Sequence, residues 1–394
     1  MAKLTIEQLD LAGRRVFLRA DLNAPIDHGA VTDETRLRAV VPTIQFALTA
    51  GASVVLASHL GRPKGKPTPE FSLRPVAERL ATLLALPVPL APDCVGEAVT
   101  EQARALKPGE VLLLENLRFH PEEEANDDGF ARSLAALADC YVDDAFAAAH
   151  RAHASIAAIT KYLQPAAAGL LMQRELDALT RILKAPERPL IALLGGAKVS
   201  DKVALVESLL NRVDGLIIGG GMAFTFLRAL GHDVGRSLLE VDRIETARQV
   251  LEAGRRRGIP IHLPVDTIVA ETIDSPAGRS VGVREIPSAM MGLDIGPLTV
   301  GRFAAALKEA RTIVWNGPMG VFEKSAFASG TIGVAQAVAE ARAFSVIGGG
   351  DTVAAAALAH VTDRIGYIST AGGAFLEFLE GRALPGVEAL TEAS

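Results

Sequence analysis

Short apolar runs alternate with longer amphipathic segments along almost the whole chain. Continuous apolar runs of this length are typical of strands that are covered on both faces in a parallel sheet. We predict strands over residues 15–19, 53–57, 111–114, 140–142, 190–194, 215–218, 261–263, 312–315, 345–347 and 368–370. Helical patterns lie between them, among them residues 73–84, 202–210 and 331–341. This alternation predicts an α/β fold with right-handed crossovers.

The predicted strands fall into two series, separated by one long helical pattern over residues 169–183. Pro165 precedes that pattern, and Pro186 and Pro189 follow it. Two series of strands indicate two α/β domains, with this segment as the helix that joins them. An ordinary core helix within a single domain is the alternative.

Composition and charge exclude several classes of protein. The 394 residues are 49% hydrophobic and 22% charged, which is typical of a globular protein rather than a disordered one. The net charge of −6 argues against a chain that coats nucleic acid or anionic membrane, so we expect neither partner. Cys94 and Cys140 are too few for a disulfide framework and are expected to be buried thiols in a reducing compartment. With no apolar leader or membrane-length run, the cytoplasm is the expected location.

Polar residues follow each predicted strand of the first half of the chain. In chain order they are Asp21, Asn23, Arg36, His59, Arg62, Arg118 and Arg151. Because ligands bind outside the carboxyl ends of strands in open α/β sheets, we expect these side chains to converge. A single arginine is more typical of an ordinary surface, but several at one edge suit an anion with more than one charge, such as a phosphate ester.

Glycine-rich loops follow the strands of the second half. They are residues 195–202, 219–222, 316–323, 348–352 and 371–373. Glycines let backbone N–H groups approach a phosphate, and a helix N-terminus adds partial positive charge. Neither a GxxxxGK[ST] loop nor a GxGxxG fingerprint is present, so the pattern predicts a nucleotide site outside the P-loop class. Asp351 is the candidate Mg²⁺ ligand, and Lys198 and Lys202 are candidates for contacting phosphate oxygens.

The chain resembles the phosphoglycerate kinase family over essentially its whole length. The segments that carry the resemblance are 15–25, 58–65, 114–118, 149–154, 195–202, 219–224, 315–323 and 348–352. The resemblance implies two doubly wound parallel-sheet (Rossmann-like) domains that face each other across a cleft. They would span residues 1–170 and 186–383, with an interdomain helix and hinge at 171–185. The tail, residues 384–394, would pack back on the first domain.

The resemblance also implies a reaction and its residues. The reaction is reversible phosphoryl transfer from 1,3-bisphosphoglycerate to MgADP by a monomer, with Mg²⁺ as cofactor. The phosphoglycerate site would consist of Asp21, Asn23, Arg36, His59, Arg62, Arg118 and Arg151. The nucleotide site would consist of Gly196, Lys198, Lys202, Gly220, Gly221, Asn316, Pro318, Glu323, Gly349, Gly350, Asp351 and Thr352, with Asp351 helping to place the metal. The catalytic set would be Arg36, Lys198, Gly350 and Gly373.

Four positions depart from the family's usual pattern. Asp143 stands where asparagine is common, Ala147 and Ala148 stand where glycine and threonine are common, and Ala371 replaces a glycine. Ala371 puts turnover or closure rate in question, because it narrows the backbone freedom of a loop near the phosphates or the hinge.

Two other functions are open to test. Asp143, Asp144, His150 and His153 lie close together in sequence, which is compatible with a metal-dependent hydrolase. A nucleotide-binding scaffold without catalysis is the other alternative. The glycine-rich loops do not show whether the nucleotide site prefers ATP or GTP.

Overall fold

The computed structural model describes residues 2–393, and the chain divides into two compact units. One unit comprises the chain through Asp177 and the C-terminal segment from Ala383, and the other comprises Ala178–Arg382. Each unit has a parallel sheet and a hydrophobic core of its own. Residues 1 and 394, at the ends of the predicted first domain and tail, lie outside the described residues.

The first unit is built on a five-stranded parallel sheet with strand order β5-β4-β1-β6-β7, beside a small β2-β3 hairpin. Its strands are β1 (Arg15–Ala20), β2 (Ile26–Asp27), β3 (Ala30–Val31), β4 (Ser53–Ala57), β5 (Val111–Leu113), β6 (Cys140–Asp144) and β7 (Ala166–Ala168). Its helices are α1 (Thr35–Thr49), α2 (Arg74–Leu84), α3 (Glu97–Ala105), α4 (Pro121–Glu124), α5 (Asp128–Ala135) and α6 (Leu170–Lys184), within which the boundary between the units falls.

The second unit is built on a six-stranded parallel sheet with order β10-β9-β8-β14-β15-β16 and a three-stranded antiparallel sheet with order β12-β11-β13. Its strands are β8 (Leu190–Leu194), β9 (Gly215–Ile218), β10 (Ile261–His262), β11 (Asp266–Ala270), β12 (Arg279–Gly282), β13 (Met291–Ile295), β14 (Thr312–Asn316), β15 (Phe344–Gly348) and β16 (Tyr367–Ser369). Its helices are α7 (Val203–Leu209), α8 (Met222–Ala229), α9 (Ile244–Arg257), α10 (Pro297–Lys308), α11 (Ser329–Glu340), α12 (Gly350–Leu358) and α13 (Gly373–Leu379).

The C-terminal segment contains α14 (Pro385–Glu388) and packs on the first unit. The amide of Gly386 donates to the carbonyl of Ala149 at 2.8 Å, and the amide of Thr391 donates to the carbonyl of Ala166 at 2.9 Å. Lys3 Nζ lies 2.6 Å from Glu392 Oε1. The C-terminal segment is therefore bonded to a loop, to β7 and to the N-terminal residues of the first unit.

The predicted α/β class, with two parallel sheets, is confirmed, and each predicted strand is present with its ends shifted by at most two residues. The predictions missed the β2-β3 hairpin, β7 and the antiparallel sheet. Strand β7 is three alanines, which have low strand propensity, so its pairing with β6 decides its conformation. Strand β12 is short and half exposed, and it therefore lacks the continuous apolar run that identified the others.

Candidate functional site

The polar loops of the first unit start from neighbouring strands. Strand β1 lies between β4 and β6, and Arg19 near its end is in register with Ala57 on one side and Asp143 on the other. All three strands run parallel, so the loops that leave them emerge side by side. This is the edge at which the sequence predicted an anion site.

Hydrogen bonds tie these loops together. Arg36 Nη1, in the first turn of α1, donates to Asp21 Oδ2. Asn23 Oδ1 accepts from the amide of Gly61 at 2.9 Å, and Arg118 Nη1 donates to the carbonyl of Gly61 at 2.8 Å. The loop after β4 is thus held on both sides by side chains from the loops after β1 and β5.

His59 is buried beneath this edge as a neutral side chain. Its Nδ1 lies 3.2 Å from Arg19 Nη2, and because a guanidinium can only donate, Nδ1 accepts and the ring proton resides on Nε2. Burial, and then the positive charges of Arg19, Arg118 and Arg36, lower the pKa of His59 well below its usual value. Among residues 2–393, no acceptor for Nε2–H is found, so this neutral imidazole is suited to donating a hydrogen bond to an anion.

The two remaining predicted arginines make fewer contacts. Arg151 Nε donates to His150 Nε2 at 3.1 Å, and its charge, after burial, helps to lower the pKa of Arg118. Arg62 is exposed, and no hydrogen bond or ion pair reaches its side chain from the described residues. The structure therefore brings six of the seven predicted residues into contact or electrostatic range and leaves the Arg62 side chain in solvent.

A buried network under the site was not predicted. Arg19 is fully buried, and its Nε donates to Ser155 Oγ at 2.9 Å. Glu123, also fully buried, accepts from Ser155 Oγ at 2.5 Å and from the Ser155 amide at 2.9 Å. Burial raises the pKa of Glu123 against the lowering effect of Arg19. A charged residue at the end of an apolar strand was the signal that could have identified Arg19.

The four residues of the hydrolase alternative have other partners. Asp144 Oδ1 accepts from the amides of Leu171 at 2.8 Å and Met172 at 3.0 Å, so this carboxyl caps α6. Asp143 Oδ1 accepts from the Ala145 amide at 2.9 Å. Burial raises the pKa of Asp143 to about 7 and that of Asp144 to about 6, and it lowers the pKa of His153 to about 3. Within residues 2–393 these four do not gather their ligand atoms around one point.

The glycine-rich loops of the second unit surround a cavity of about 620 Å³. Of the predicted nucleotide residues, those that line it are Gly196, Gly220, Gly221, Pro318, Glu323 and Asp351. Apolar side chains cover another part of the wall, namely Phe224, Leu238, Ile273, Met291 and Leu293. Two of these belong to β13 of the unpredicted antiparallel sheet. The cavity has the glycine backbone and apolar surface that a nucleotide requires.

Polar side chains support the cavity from beneath. Lys202 Nζ donates to the carbonyl of Asn316 at 3.1 Å and to Asn316 Oδ1, and Asn316 Nδ2 donates to the carbonyl of Gly348 at 2.7 Å. The amide of Gly317 donates to Thr352 Oγ1 at 2.8 Å. Burial lowers the pKa of Lys202 to about 8, although Asp201 and Asp351 oppose the shift. These bonds fix the loops after β14 and β15 to each other.

Two glycines allow the loops to approach closely. Gly220 has a φ of +65°, and a Cβ there would lie 2.6 to 2.8 Å from backbone atoms of Gly196 and Pro318. Gly349 has a φ of +92°, and a Cβ there would lie 2.7 Å from Asn316 Nδ2. Both positions therefore require glycine for conformation and for space.

Three predicted catalytic residues lie outside the cavity lining. Gly350 is the first residue of α12, and Gly373 is the first residue of α13. Lys198 is exposed, and no hydrogen bond or ion pair to it is found among the described residues. Their roles stay predictions.

Asp351 fits the role of a magnesium ligand. Its carboxylate lies in the first turn of α12, is exposed, and lines the cavity. No side chain or backbone amide among the described residues donates a hydrogen bond to the Asp351 carboxylate. A free carboxylate beside glycine loops is the hard oxygen donor that Mg²⁺ prefers when it also binds phosphate.

A larger groove of about 740 Å³ lies elsewhere on the second unit, lined in part by Leu227, Arg255 and Arg302. None of the glycine loops that follow β8, β9, β14 and β15 contributes to it. The smaller cavity, where the strand ends and the glycine loops meet, is therefore the candidate nucleotide site.

Both candidate sites lie at the ends of parallel strands, where α/β proteins bind their ligands. The model of the family "Phosphoglycerate kinase" matches residues 6–382. Phosphoglycerate kinase of Moorella thermoacetica is 56% identical over 393 residues, with 100% of both chains covered. That of Acidobacterium capsulatum is 54% identical over 403 aligned positions, also with 100% of both chains covered.

Solved structures agree with these sequence matches. The structure of phosphoglycerate kinase from Coxiella burnetii superposes with a TM-score of 0.92 at 44% identity, and that from Pyrococcus horikoshii OT3 with 0.85 at 35%. Each comparison covers 98% of both chains. The chain belongs to the phosphoglycerate kinase family. Among residues 2–393, no helix is both long and apolar enough to cross a bilayer.

Proposed function

We propose that this protein catalyses reversible phosphoryl transfer from 1,3-bisphosphoglycerate to MgADP, which gives 3-phosphoglycerate and MgATP. The observation that carries the proposal is the division of chemistry between the units. One unit gathers arginines and a neutral histidine at the end of its sheet, and the other has a glycine-lined cavity with a lysine beneath it. Family membership supports the same reaction.

In the first unit, different residues would bind different groups of the phosphoglycerate substrate. Arg62, Arg118 and Arg151 would hold the remote 3-phosphate, since guanidinium groups pair with phosphate oxygens through two parallel hydrogen bonds. His59 would donate from Nε2 to the same anion. Asp21 and Asn23 would accept from the substrate hydroxyl or orient arginines, as Asp21 orients Arg36 in the free protein.

In the second unit, the glycine loops would hold the nucleotide phosphates. Lys202 would contact a phosphate oxygen, and the added negative charge would raise its pKa from about 8, so the side chain would be cationic in the complex. Glu323 would accept hydrogen bonds from the ribose hydroxyls. Asp351 would hold Mg²⁺, which when bound neutralises part of the charge of the nucleotide phosphates.

The reaction requires no general base. In the direction that consumes ATP, the nucleophile is a carboxylate, which is already ionised at neutral pH. The obstacle is repulsion between this anion and an anionic phosphoryl group, so catalysis consists of positioning and charge stabilisation. Arg36 and Lys198 would supply cationic side chains, and the N-terminal amides of α12, beginning at Gly350, would supply partial positive charge. Gly373 would bring a further backbone amide.

The two sets of residues belong to different units, so the proposal includes a movement that brings both to one phosphoryl group. Such closure also excludes water, which would otherwise hydrolyse the acyl phosphate. We further propose that the protein works as a cytoplasmic monomer on small-molecule substrates alone, since one chain supplies all the residues proposed for both half-sites.

The test is ATP formation by the purified chain from 1,3-bisphosphoglycerate and MgADP in a coupled assay. Acetyl phosphate is the matched control substrate, because it is an acyl phosphate without the remote phosphate that the arginines would hold. We expect rapid turnover of 1,3-bisphosphoglycerate and very slow turnover of acetyl phosphate. Nucleotide binding without turnover would instead identify a non-catalytic scaffold, and equal rates would remove the arginine site from the proposal.

A further inference from the structure

A group of three potential metal ligands lies on the first unit and plays no part in the proposed reaction. Asp93, Cys94 and His120 each offer one ligand atom, and these atoms all lie within 4.8 Å of one another. His120 Nε2 is 2.7 Å from Asp93 Oδ1, and Cys94 Sγ is 3.5 Å from the same oxygen. In the described part of the chain, no other group of three histidine, cysteine or acidic side chains comes this close together.

Two of the three separations between these atoms are close to those of a tetrahedral zinc site, and the third, between Cys94 Sγ and His120 Nε2, is at most 4.8 Å. Bond lengths of roughly 2.0–2.1 Å to oxygen and nitrogen and roughly 2.3 Å to sulfur place O and S about 3.5 Å apart and O and N about 3.3 Å apart. The distance from Asp93 Oδ1 to Cys94 Sγ already has this value. The distance from Asp93 Oδ1 to His120 Nε2 needs to increase by about 0.6 Å, which small side-chain rotations allow.

We propose that Asp93 Oδ1, Cys94 Sγ and His120 Nε2 form a binding site for a divalent cation of the zinc class, with the fourth position open to water. The donor set is one carboxylate, one thiolate and one imidazole, which favours zinc-like cations over Mg²⁺. This site is separate from the one at Asp351 and goes beyond the proposed kinase function.

Charge balance supports the assignment. In the free protein Asp93 accepts hydrogen bonds from the Cys94 thiol and from the imidazole of His120. When the cation binds, the Cys94 S–H bond breaks and its proton leaves to solvent, while the S–metal bond forms with no change of oxidation state. The Nε2–H bond of His120 also breaks and its proton leaves to solvent, and Nδ1 carries the ring proton instead, so the imidazole that binds the cation through Nε2 is neutral. A dication with a carboxylate, a thiolate and a neutral imidazole has no net charge, which lowers the desolvation cost at a partly buried place.

The ligands are also held in position before any cation binds. The ring of His120 stacks on Phe130 with centroids 5.1 Å apart, and Cys94 is fully buried. Cys94 Sγ lies 3.9 Å from the carbonyl of Asn116, whose side chain accepts from the amide of Arg118. The cation would therefore lie against the loop that presents Arg118.

The experiment is titration of the chelator-treated, full-length protein with Co²⁺, a spectroscopic substitute for Zn²⁺. A thiolate ligand gives a near-ultraviolet sulfur-to-cobalt charge-transfer band, and tetrahedral geometry gives intense visible bands. We expect one equivalent of Co²⁺ to bind with both signals, Zn²⁺ to displace it, and excess Mg²⁺ to leave it in place. Direct metal binding is measured without substrates, so failure of the kinase proposal would not affect this result.

The variants are Cys94→Ala and His120→Gln, with Cys140→Ala as the matched control. Cys140 is the other cysteine and is also buried, but it is not part of the group. We expect Cys94→Ala to abolish the charge-transfer band, either variant to weaken Co²⁺ binding at least about 10-fold, and Cys140→Ala to change nothing. His120 is partly exposed, so its variant keeps the test decisive if Cys94→Ala does not fold.

Three results would overturn the proposal. They are absence of the charge-transfer band in the parent protein, loss of the band in Cys140→Ala with retention in Cys94→Ala, and unchanged Co²⁺ affinity in either of the two ligand variants.

Discussion

At the scale of single residues, Arg36 is the side chain for which we propose a role in the transition state. It begins in the first turn of α1 and is oriented by Asp21. We predict that Arg36→Ala lowers kcat by at least about 10²-fold and changes KM for 3-phosphoglycerate far less, because the cation would stabilise charge that develops during transfer. Steady-state kinetics in the ATP-consuming direction measures both constants.

Arg38→Ala is the control for Arg36→Ala. Arg38 lies on the same helix, is exposed, and pairs with Glu34 at 2.7 Å, so its removal should leave both constants near normal. Arg36→Lys should recover only part of the rate, since an ammonium cannot bridge two oxygens as a planar guanidinium does. A large rise in KM at unchanged kcat in Arg36→Ala would make Arg36 a binding residue only.

We predict that Asp143 makes the stability of the protein depend on pH. Burial raises its pKa from 3.8 to about 7, while the Ala145 amide and Arg19 oppose the shift. The folded state thus holds a proton that the unfolded state has lost, so this residue's contribution to stability falls as pH rises from about 4 to about 7, by roughly 1.4 kcal/mol per pH unit. Asp143→Asn removes this dependence. We expect its stability relative to the parent to improve between about pH 5 and about pH 8 in urea denaturation followed by circular dichroism.

Asp139→Asn is the matched control, because Asp139 lies beside β6 and its pKa is shifted the other way. The hydrogen bond from Arg15 holds that pKa below its usual value of 3.8. The stabilisation by the Asp139 carboxylate is present above pH 3.8 and is lost only as pH falls below 3.8. Asp139→Asn should therefore lower the free energy of unfolding by the same amount at about pH 5 and at about pH 8. If Asp143→Asn changes the free energy of unfolding by the same amount at both pH values, Asp143 is not protonated in the folded state.

At the scale of elements, the proposed nucleotide cavity depends on the close approach of three loops. A Cβ on Gly220 would lie under 3.0 Å from backbone atoms of Gly196 and Pro318, which cannot rotate away. We predict that Gly220→Ala raises the Kd for MgADP at least about 10-fold and lowers the free energy of unfolding by roughly 1–3 kcal/mol, since the φ of +65° adds strain. Calorimetric titration measures the affinity.

Gly301→Ala is the control for Gly220→Ala. Gly301 lies within α10, and nothing lies within 4 Å of the position its Cβ would take. Alanine there should leave the affinity unchanged and stabilise the helix by up to about 1 kcal/mol. Normal MgADP affinity in Gly220→Ala would show that the three loops can separate without affecting the nucleotide.

At the scale of the whole molecule, the placement of the two half-sites on separate units predicts closure. Each ligand would contact mainly one unit, so interactions that involve both units would be gained only when both ligands are bound. We predict that the radius of gyration from small-angle scattering is smallest with 3-phosphoglycerate and MgATP together. Either ligand alone should give a smaller decrease.

Arg62→Ala provides the control for the scattering experiment, because its side chain has no partner among the described residues and its loss should not disturb the fold. In that variant the response to MgATP should be retained, and the further compaction on adding 3-phosphoglycerate should require a higher concentration. An unchanged radius of gyration in all four ligation states would contradict hinge closure.

The local sequence pattern was sufficient to predict most of the strands and the kinds of side chain that follow them. Continuous apolar runs identified the parallel strands, because burial on both faces imposes that pattern on any sequence that adopts it. The glycine loops and the series of arginines could be recognised from their positions, because ligands bind at the strand ends of an α/β sheet. The positions of Arg36, Lys202 and Asp351 after predicted strands were enough to single out all three.

The tertiary structure decided which of these residues touch. Arg19 and Ser155 are 136 positions apart and bond only because β1 and β6 are neighbours. The antiparallel wall of the proposed nucleotide cavity and the pairing of Asp93 with His120 likewise arise from contacts between distant segments. The periodicity of apolar residues shows only which face of each segment packs on the core. The contacts between distant segments depend on the order of strands in the sheet and on the paths of the loops, and neither can be predicted from one segment alone.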